Sequence, residues 1–382
     1  MLFRSTIHNK SLFAGANLLY KKKNISVTGN YQYNKGNRHY LNDSGFVGSY
    51  IIFEDNKYLS QGQFAEIYSN IKAGNNFSFL AGGDYRYGKM NQQYFSISSF
   101  GPYSDNFNDT SVNQLSFYAS AFYSGTNKKL NAELGGRWNK HSQYGDNFTY
   151  TFNPSFNISE HYRMFGSIAT AFKAPTLYQL YVAYSGNKNL KPEKSVNYEA
   201  GFQEQHKYTN SRLVFFYRDI KNGIDYDYFN YTYFNFNSQV VRGLEYEITV
   251  KPVKGLTLTA NYTYQWANEY SQSRINFKDT GYNYLLRRPA SVFNINAGYQ
   301  QKSLYISLSG KYVSKRYDVG GFASPDISLP SYFIIGAYAE YKFNEHIKIF
   351  ANAENITNKK FFDILGYNSI PFMATGGVSV NF

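Results

Sequence analysis

A few groups of residues in this 382-residue chain could do chemistry. Tyr178, Tyr181, Tyr184, Tyr282, Tyr284, Arg287 and Arg288 lie in polar, aromatic stretches and combine ring faces with positive charge. That combination suits a large, partly anionic solute held by stacking and charge-assisted hydrogen bonds. The same rings would also serve as an interfacial girdle, and residue type alone leaves both readings open. Asp105, Asn108 and Asp109 offer oxygen ligands for calcium but lack the Gly and Glu of an EF-hand loop. Gly83-Asp84-Tyr85-Arg86-Tyr87-Gly88-Lys89 nearly spells a phosphate-binding loop. Met90 stands where Ser or Thr must meet magnesium, however, and no helix follows. His8, His39, His141, His161, His206 and His346 never fall at metal-ligand spacing. With no triad or carboxylate pair in a defined cleft, the chain reads as a non-enzyme. No cofactor is expected beyond the calcium option.

The elements that must carry these residues are strands. In Leu256 to Trp266, Leu256, Leu258, Ala260, Tyr262, Tyr264 and Trp266 alternate with Thr257, Thr259, Asn261, Thr263 and Gln265. Alternation of that length gives one apolar and one polar face and matches the roughly 9–11 tilted residues that cross a bilayer. The aromatic end lies where an interfacial girdle would sit. The pattern recurs along the chain and predicts seventeen strands, near 11–20, 24–34, 62–73, 75–88, 112–125, 128–140, 146–157, 161–172, 194–206, 210–226, 231–250, 255–269, 288–301, 303–316, 330–342, 346–357 and 371–382. No segment shows a 3.6-residue period. Short turns alternate with long loops near 35–61, 89–111, 173–193, 270–287, 317–329 and 358–370. Short turns at one end and long loops at the other describe an all-β, up-and-down antiparallel transmembrane β-barrel. Glu199, Glu245, Glu247, Glu340 and Glu354 fall at inward positions, facing water, a plug or substrate, since a charge facing lipid at midplane costs ~2–4 kcal/mol.

Composition agrees. A mean hydropathy of -0.50 and the absence of any apolar run near ~18 residues exclude a helical membrane protein. Tyr (40) and Phe (33) dominate a 20% aromatic share, the residues favoured in strands and at membrane interfaces. Cys is absent, which removes disulfides and thiolate chemistry. The net charge of +13 is scattered through turns such as Lys21-Lys22-Lys23 and Lys128-Lys129 rather than gathered in a stripe, so no nucleic-acid partner is expected. Met1-Leu2-Phe3-Arg4-Ser5 leads into no apolar h-region, and an odd strand count cannot close a bacterial barrel. The expectation is a truncated barrel over 11–382, with 1–10 the remnant of an upstream loop or strand.

Ala171-Phe172-Lys173-Ala174-Pro175-Thr176-Leu177-Tyr178-Gln179-Leu180-Tyr181, followed by Asn189-Leu190-Lys191-Pro192-Glu193 and Ser195-Val196-Asn197-Tyr198-Glu199-Ala200-Gly201, resembles the mid-barrel signature of TonB-dependent outer-membrane receptors. Val241-Arg242-Gly243-Leu244-Glu245, Arg288-Pro289-Ala290 and Ala353-Glu354-Asn355-Ile356-Thr357-Asn358 are further matches. Lys173 replaces the usual Arg and Gln179 the usual Glu, which puts the ion pair of that block in question. Phe382 resembles the C-terminal aromatic read by the barrel-assembly machinery.

The resemblance is to the vitamin B12 and siderophore receptor branch. It implies twenty-two strands around a plug that engages TonB-ExbB-ExbD, so about seventeen strands and no plug would be present here. It also implies the outer membrane of a Gram-negative bacterium, contact with its lipid and lipopolysaccharide, and energised uptake of a scarce nutrient ligand such as cobalamin or a ferric siderophore. A passive porin-like channel and an adhesin or assembly barrel are the competing readings.

Overall fold

The computed structural model describes residues 5–43, 51–227, 230–276, 278–321 and 323–381. Phe382 lies outside the described residues. The chain runs β1 (Ser5–Lys22), β2 (Ile25–Asn42), β3 (Ile51–Ala73), β4 (Phe77–Ser98), β5 (Gly101–Ser124), β6 (Leu130–His141), β7 (Gly145–Asn157) and β8 (Tyr162–Lys173). A short helix, α1 (Leu177–Tyr181), precedes β9 (Glu193–Gln205), β10 (Thr209–Asp227), β11 (Thr232–Val250), β12 (Leu256–Gln272) and β13 (Asp279–Tyr282). Then come β14 (Ser291–Gln301), β15 (Leu304–Val313), β16 (Arg316–Asp318), β17 (Ile327–Leu329), β18 (Tyr332–Lys342), β19 (Ile347–Glu354) and β20 (Met373–Val380). Eighteen strands belong to one sheet, and β16 and β17 form a separate two-stranded ribbon. Every described register in the sheet is antiparallel, mostly between chain neighbours, as in an up-and-down meander. No described helix is long and apolar enough to cross a membrane.

All seventeen predicted strands are present. The additions are β13, β16 and β17, short pieces that the alternation could not reveal, and α1, too short to show a helical period. Two predicted loops are corrected. Most of 35–61 and 89–111 is strand, because β2 and β3 run on to Asn42 and back from Ile51, and β4 and β5 meet at a turn beside Phe100. Beyond the apolar stretch polar residues enter both faces and apolar ones are scattered, so periodic hydrophobicity stops while backbone pairing continues. Likewise β1 begins at Ser5, so residues 5–10 are strand paired to β2.

The chain divides into two compact units. The first comprises Met1–Asn153, Ala169–Ser195 and Asn222–Asn235, and the second Pro154–Ile168, Val196–Lys221 and Phe236–Phe382. In the first unit, one face of β1–β5 is polar and hydrogen-bonded. Asn17 donates to Asn30, Asn30 and Tyr118 donate to Glu66, and Arg137 pairs with buried Asp84 at 2.5 Å. The opposite face exposes Leu18, Ile67, Phe79 and Phe117.

In the second unit, Tyr264, Trp266 and Tyr270 are exposed on one face of β12 while Ala267, Glu269 and Ser271 are buried on the other. Val241, Ala267, Leu285 and Phe216 form a small core there. Gly243 is required in this core, since a Cβ would meet the Tyr264 carbonyl oxygen at 2.1 Å and the Phe216 ring at 2.8 Å.

Candidate functional site

The first unit folds the segment 174–192, between β8 and β9, across the polar face of β3–β5. Thr176 caps α1: its side chain accepts from the Gln179 N–H at 3.2 Å, and the Gln179 side chain accepts from the Thr176 N–H at 2.9 Å. This reciprocal capping box uses the Thr-x-x-Gln spacing and gives Gln179, which stands in place of the usual Glu, a local role. Lys173 still forms an ion pair, with Glu193. Leu180 is 1% exposed and Leu190 2%, so the segment is anchored by apolar side chains at both ends.

Its middle is held by buried polar groups. Gln92, 1% exposed, accepts from the Ala183 N–H at 3.0 Å and donates to Asn56 at 2.9 Å and to the Tyr58 hydroxyl at 3.2 Å. Asn187 donates to the Tyr233 carbonyl at 2.8 Å, and Asn235 exchanges hydrogen bonds with both backbone groups of Lys191. Buried polar groups are satisfied in this way because leaving one unpaired costs about 1–3 kcal/mol.

The three predicted tyrosines of this segment are brought against other rings. Tyr178 lies 5.9 Å from Tyr58 and 6.3 Å from Tyr233. Tyr184, left-handed at φ 63°, stacks on Tyr103 at 4.2 Å and meets Tyr94 edge-on at 5.4 Å. Tyr181 faces Phe107 at 6.0 Å, with the Lys188 ammonium 5.4 Å from its ring centre.

Below Tyr178 a cavity of ≈ 790 Å³ opens on the polar face, lined by Arg38, Tyr40, Glu54, Asn56 and Tyr58 among others. That volume is within the range of small-molecule sites, roughly 300–1,000 Å³. Burial, with the neighbouring Tyr178 second, pushes the Tyr58 hydroxyl far above the ordinary phenol range, and burial raises Tyr94 to about 12. Both therefore stay protonated as donors near neutral pH. Burial also raises Glu54 above the ordinary carboxylate value. Arg38, Tyr40, Glu54, Asn56, Tyr58 and Gln92 were missed by the sequence reading because they fell inside the supposed loops. Their signal was the parity continued from the polar side of β2, β3 and β4.

The remaining predicted contacts lie in the second unit. Tyr284 stacks on Tyr317 at 4.0 Å and donates to Asp326 at 2.8 Å. Asp326 also accepts from Arg274 at 2.8 Å, whose guanidinium sits 4.2 Å from the Tyr282 ring centre and reaches Glu269 at 3.4 Å. Burial first, then the bond to Asp326, raises the Tyr284 hydroxyl above its ordinary value.

Arg287 pairs with Asp318 at 2.7 Å, and the same carboxylate accepts the Leu365 and Val319 N–H groups. Burial alone would raise Asp318, but these bonds outweigh it and hold the carboxyl below its usual value. Arg316, 3% exposed, binds Asp363 at 2.9 Å and the Phe362 carbonyl. Tyr284 and Arg287 are thus engaged in holding the segments 273–290, 314–331 and 355–372 together. Arg288 is exposed and has no ion pair among the described residues.

The predicted glutamates sort by register. Glu245 and Glu247 lie opposite Thr263 and Asn261, and Glu340 and Glu354 continue the same face through β14, β15, β18 and β19. A smaller pocket of ≈ 370 Å³ on this face is lined by Thr259, Asn261, Asn294, Asn296, Lys311 and Glu354 among others. Glu199 shares its parity with Asn197, which accepts from Arg218, while Tyr198 and Phe202 alternate with it and are exposed.

Asp105 lies opposite Tyr94 on the polar face, whereas Asp109 pairs with Lys89 at 2.6 Å near an irregularity in β5. Among the described residues no group of three or more His, Asp or Glu side chains could hold a metal ion.

Comparison with known proteins places this geometry. Residues 3–356 match the model of the TonB dependent receptor-like β-barrel family. Over 270 residues the chain is 30% identical to the ferric enterobactin receptor of Pseudomonas aeruginosa, an alignment spanning 60% of this chain and 35% of that protein. Among solved structures, a mutant of that organism's ferric enterobactin receptor aligns with a TM-score of 0.77 at 21% identity, covering 99% of this chain and 62% of the other. A copper transporter, OprC, aligns at 0.82 with 11% identity, covering 98% and 65%. The pyoverdine outer membrane receptor FpvA of Pseudomonas aeruginosa aligns at 0.75 with 17% identity, covering 99% and 62%. The chain therefore spans about a third of the curated relative and under two thirds of each of these structures.

Proposed function

The chain belongs to the TonB dependent receptor-like β-barrel family, and from that premise we propose that it is the barrel portion of an outer-membrane receptor that takes up a ferric siderophore. The observation that carries this reading is the 30% identity to a ferric enterobactin receptor. The cavity under α1 supports it, with Arg38 for an anionic chelate, the rings of Tyr58 and Tyr178 for flat ligand groups, and neutral phenols as donors. The residues of this chain bind and orient the ligand. In this reading the energy for its release into the periplasm comes from TonB-ExbB-ExbD.

The test is a titration of the full-length protein with an iron(III) tricatecholate, read by quenching of the Tyr and Trp fluorescence. Tight binding by wild type that is lost in Arg38→Ala and in Tyr58→Ala is the expected result. Tight binding of cobalamin with none of the chelate would overturn the substrate, and ion conduction with no binding of either would overturn the receptor reading.

A further inference from the structure

The hydrogen bonds behind Tyr58 have a direction, and a single backbone group sets it. The Ala183 N–H can only donate, so the atom it meets at 3.0 Å is the Oε1 of Gln92. The Gln92 Nε2 then gives one hydrogen to the Asn56 Oδ1 at 2.9 Å and the other to the Tyr58 hydroxyl at 3.2 Å. Asn56, its oxygen engaged in this way, turns its Nδ2 to the same hydroxyl at 2.8 Å. Gln92 and Asn56 are both buried, so their amides have no bulk water to turn to instead.

The Tyr58 oxygen thus accepts two N–H bonds. Its lone pairs are committed, and what remains is its own proton, which it can only give. Asn56, Tyr58, Tyr178 and Arg38 all line one cavity. The proton leaves the network on that side, directly or handed on through neighbouring Tyr178, whose ring centre lies 5.9 Å from that of Tyr58. The direction also depends on the segment 174–192. Gln92 has an amide that is symmetric in shape but not in chemistry. Withdrawal of the Ala183 N–H would free that amide to turn over, present its oxygen to Tyr58 and take the proton back.

We infer that Gln92 and Asn56 are positioning residues that make Tyr58 an outward donor, so that the cavity selects a ligand oxygen carrying no proton, of the phenolate, carboxylate or carbonyl class. The inference rests on the reading of this cavity as the ligand site. Such an oxygen holds the Tyr58 proton outward, and that holds Gln92 in the orientation that bonds Ala183. Ligand binding and docking of the segment therefore strengthen one another by the same factor, as reciprocity requires.

The experiment titrates the purified full-length protein with iron(III) tricatecholate and follows amide exchange at Ala183 with and without it. Benzoate, an unprotonated carboxylate on a flat ring, is the second probe. Wild type should bind both, and each should slow exchange at Ala183. Tyr58→Phe should weaken binding by roughly 10- to 100-fold, and bound probe should no longer slow Ala183. Insertion of 3-fluorotyrosine at position 58, a stronger donor, should preserve binding. Gln92→Glu keeps an acceptor for Ala183 but draws the Tyr58 proton inward. Exchange at Ala183 should stay slow in that variant while affinity falls as in Tyr58→Phe. In the double variant the two losses should not multiply, because both remove the same proton, whereas a loss through the added charge would multiply.

Heat-modifiable gel migration reports folding, and Asn56→Asp, which reverses the same bond, decides if Gln92→Glu fails to fold. Wild-type affinity in Tyr58→Phe, multiplying losses in the double variant, or equal slowing of Ala183 with and without the Tyr58 hydroxyl would each overturn the inference. Benzoate binding that needs this hydroxyl, with no binding of the chelate, supports the inference and strikes the uptake reading alone. Chelate binding indifferent to the hydroxyl does the reverse, and binding of neither probe overturns both.

Discussion

The segment over β3–β5 in the first unit and the segments around Asp318 in the second have the same composition of tyrosines, basic residues and amides, but they use it differently. The first is pinned by neutral hydrogen bonds through Gln92 and leaves Arg38, Tyr58 and Tyr178 lining open space. The second spends its arginines on carboxylates, with Arg287 on Asp318, Arg274 on Asp326 and Arg316 on Asp363. Ring and guanidinium content therefore does not identify a ligand site. What distinguishes the two is whether the cation already has an anion within the fold.

The largest effect should come from breaking the charged side of this contrast. Arg287→Met leaves Asp318 buried without its cation. After allowance for the partial exposure of Arg287, it should cost about 2 kcal/mol in the second unit. Hydrogen exchange should rise around 314–331, and chelate binding should be unchanged if the contrast is right. Gln92→Leu should cost about 1–3 kcal/mol by stranding the Ala183 N–H, with faster exchange there and weaker chelate binding. If chelate affinity fell in Arg287→Met and not in Gln92→Leu, the two regions would have been assigned the wrong way round.

The two units should also separate by pH. Asp318 is held below its ordinary 3.8, so its contribution is present above that value and is lost as pH falls through the depressed pKa. Glu54 is raised above 4.5, so its neutral form is favoured in the fold, and its contribution is present below 4.5 and lost as pH rises through the raised value. Mild acid from neutral should therefore tighten binding of an anionic chelate as Glu54 loses its charge. Glu54→Gln should bind more tightly at pH 7 and flatten that dependence. A pH profile identical in wild type and Glu54→Gln would remove Glu54 from the site. The smallest effect is expected of Thr176→Ala, about 1 kcal/mol from loss of the α1 cap, read as increased exchange at Gln179.

Much of the fold was legible because a bilayer-length strand must show a residue of one kind at every second position. Leu256 to Trp266 and the terminal β20 were found on that ground alone. The short turns were legible for a related reason, since two such strands leave few residues between them. The cavity was not legible. Arg38, Glu54 and Gln92 sit where β2, β3 and β4 have left the apolar band, so hydrophobic alternation no longer reports the pairing. Tyr178, selected for its ring and its loop, lines the cavity. Tyr284 and Arg287 were selected on the same grounds, and nothing in the sequence announced that Asp326 and Asp318, 42 and 31 residues away, would engage them.

The irregularity between Met90 and Gln92 has a consequence for how such a site can change. Before it, Asp84 and Arg86 face Ser116 and Gln114, so even-numbered residues of β5 share the polar side. After it, Gln92, Tyr94 and Ser96 face Phe107, Asp105 and Tyr103, and the odd-numbered residues take their place. The bulge absorbs one extra residue on β5 and so keeps Phe107 toward Tyr181 and Tyr103 toward Tyr184. Deleting Asn108 or Asp109 would straighten the ladder and leave Phe107, Asp105 and Tyr103 opposite Gln92, Tyr94 and Ser96. In this hairpin the bulge acts as a buffer, since the loss of one codon there would remove the irregularity and spare the side chains that meet Tyr181 and Tyr184.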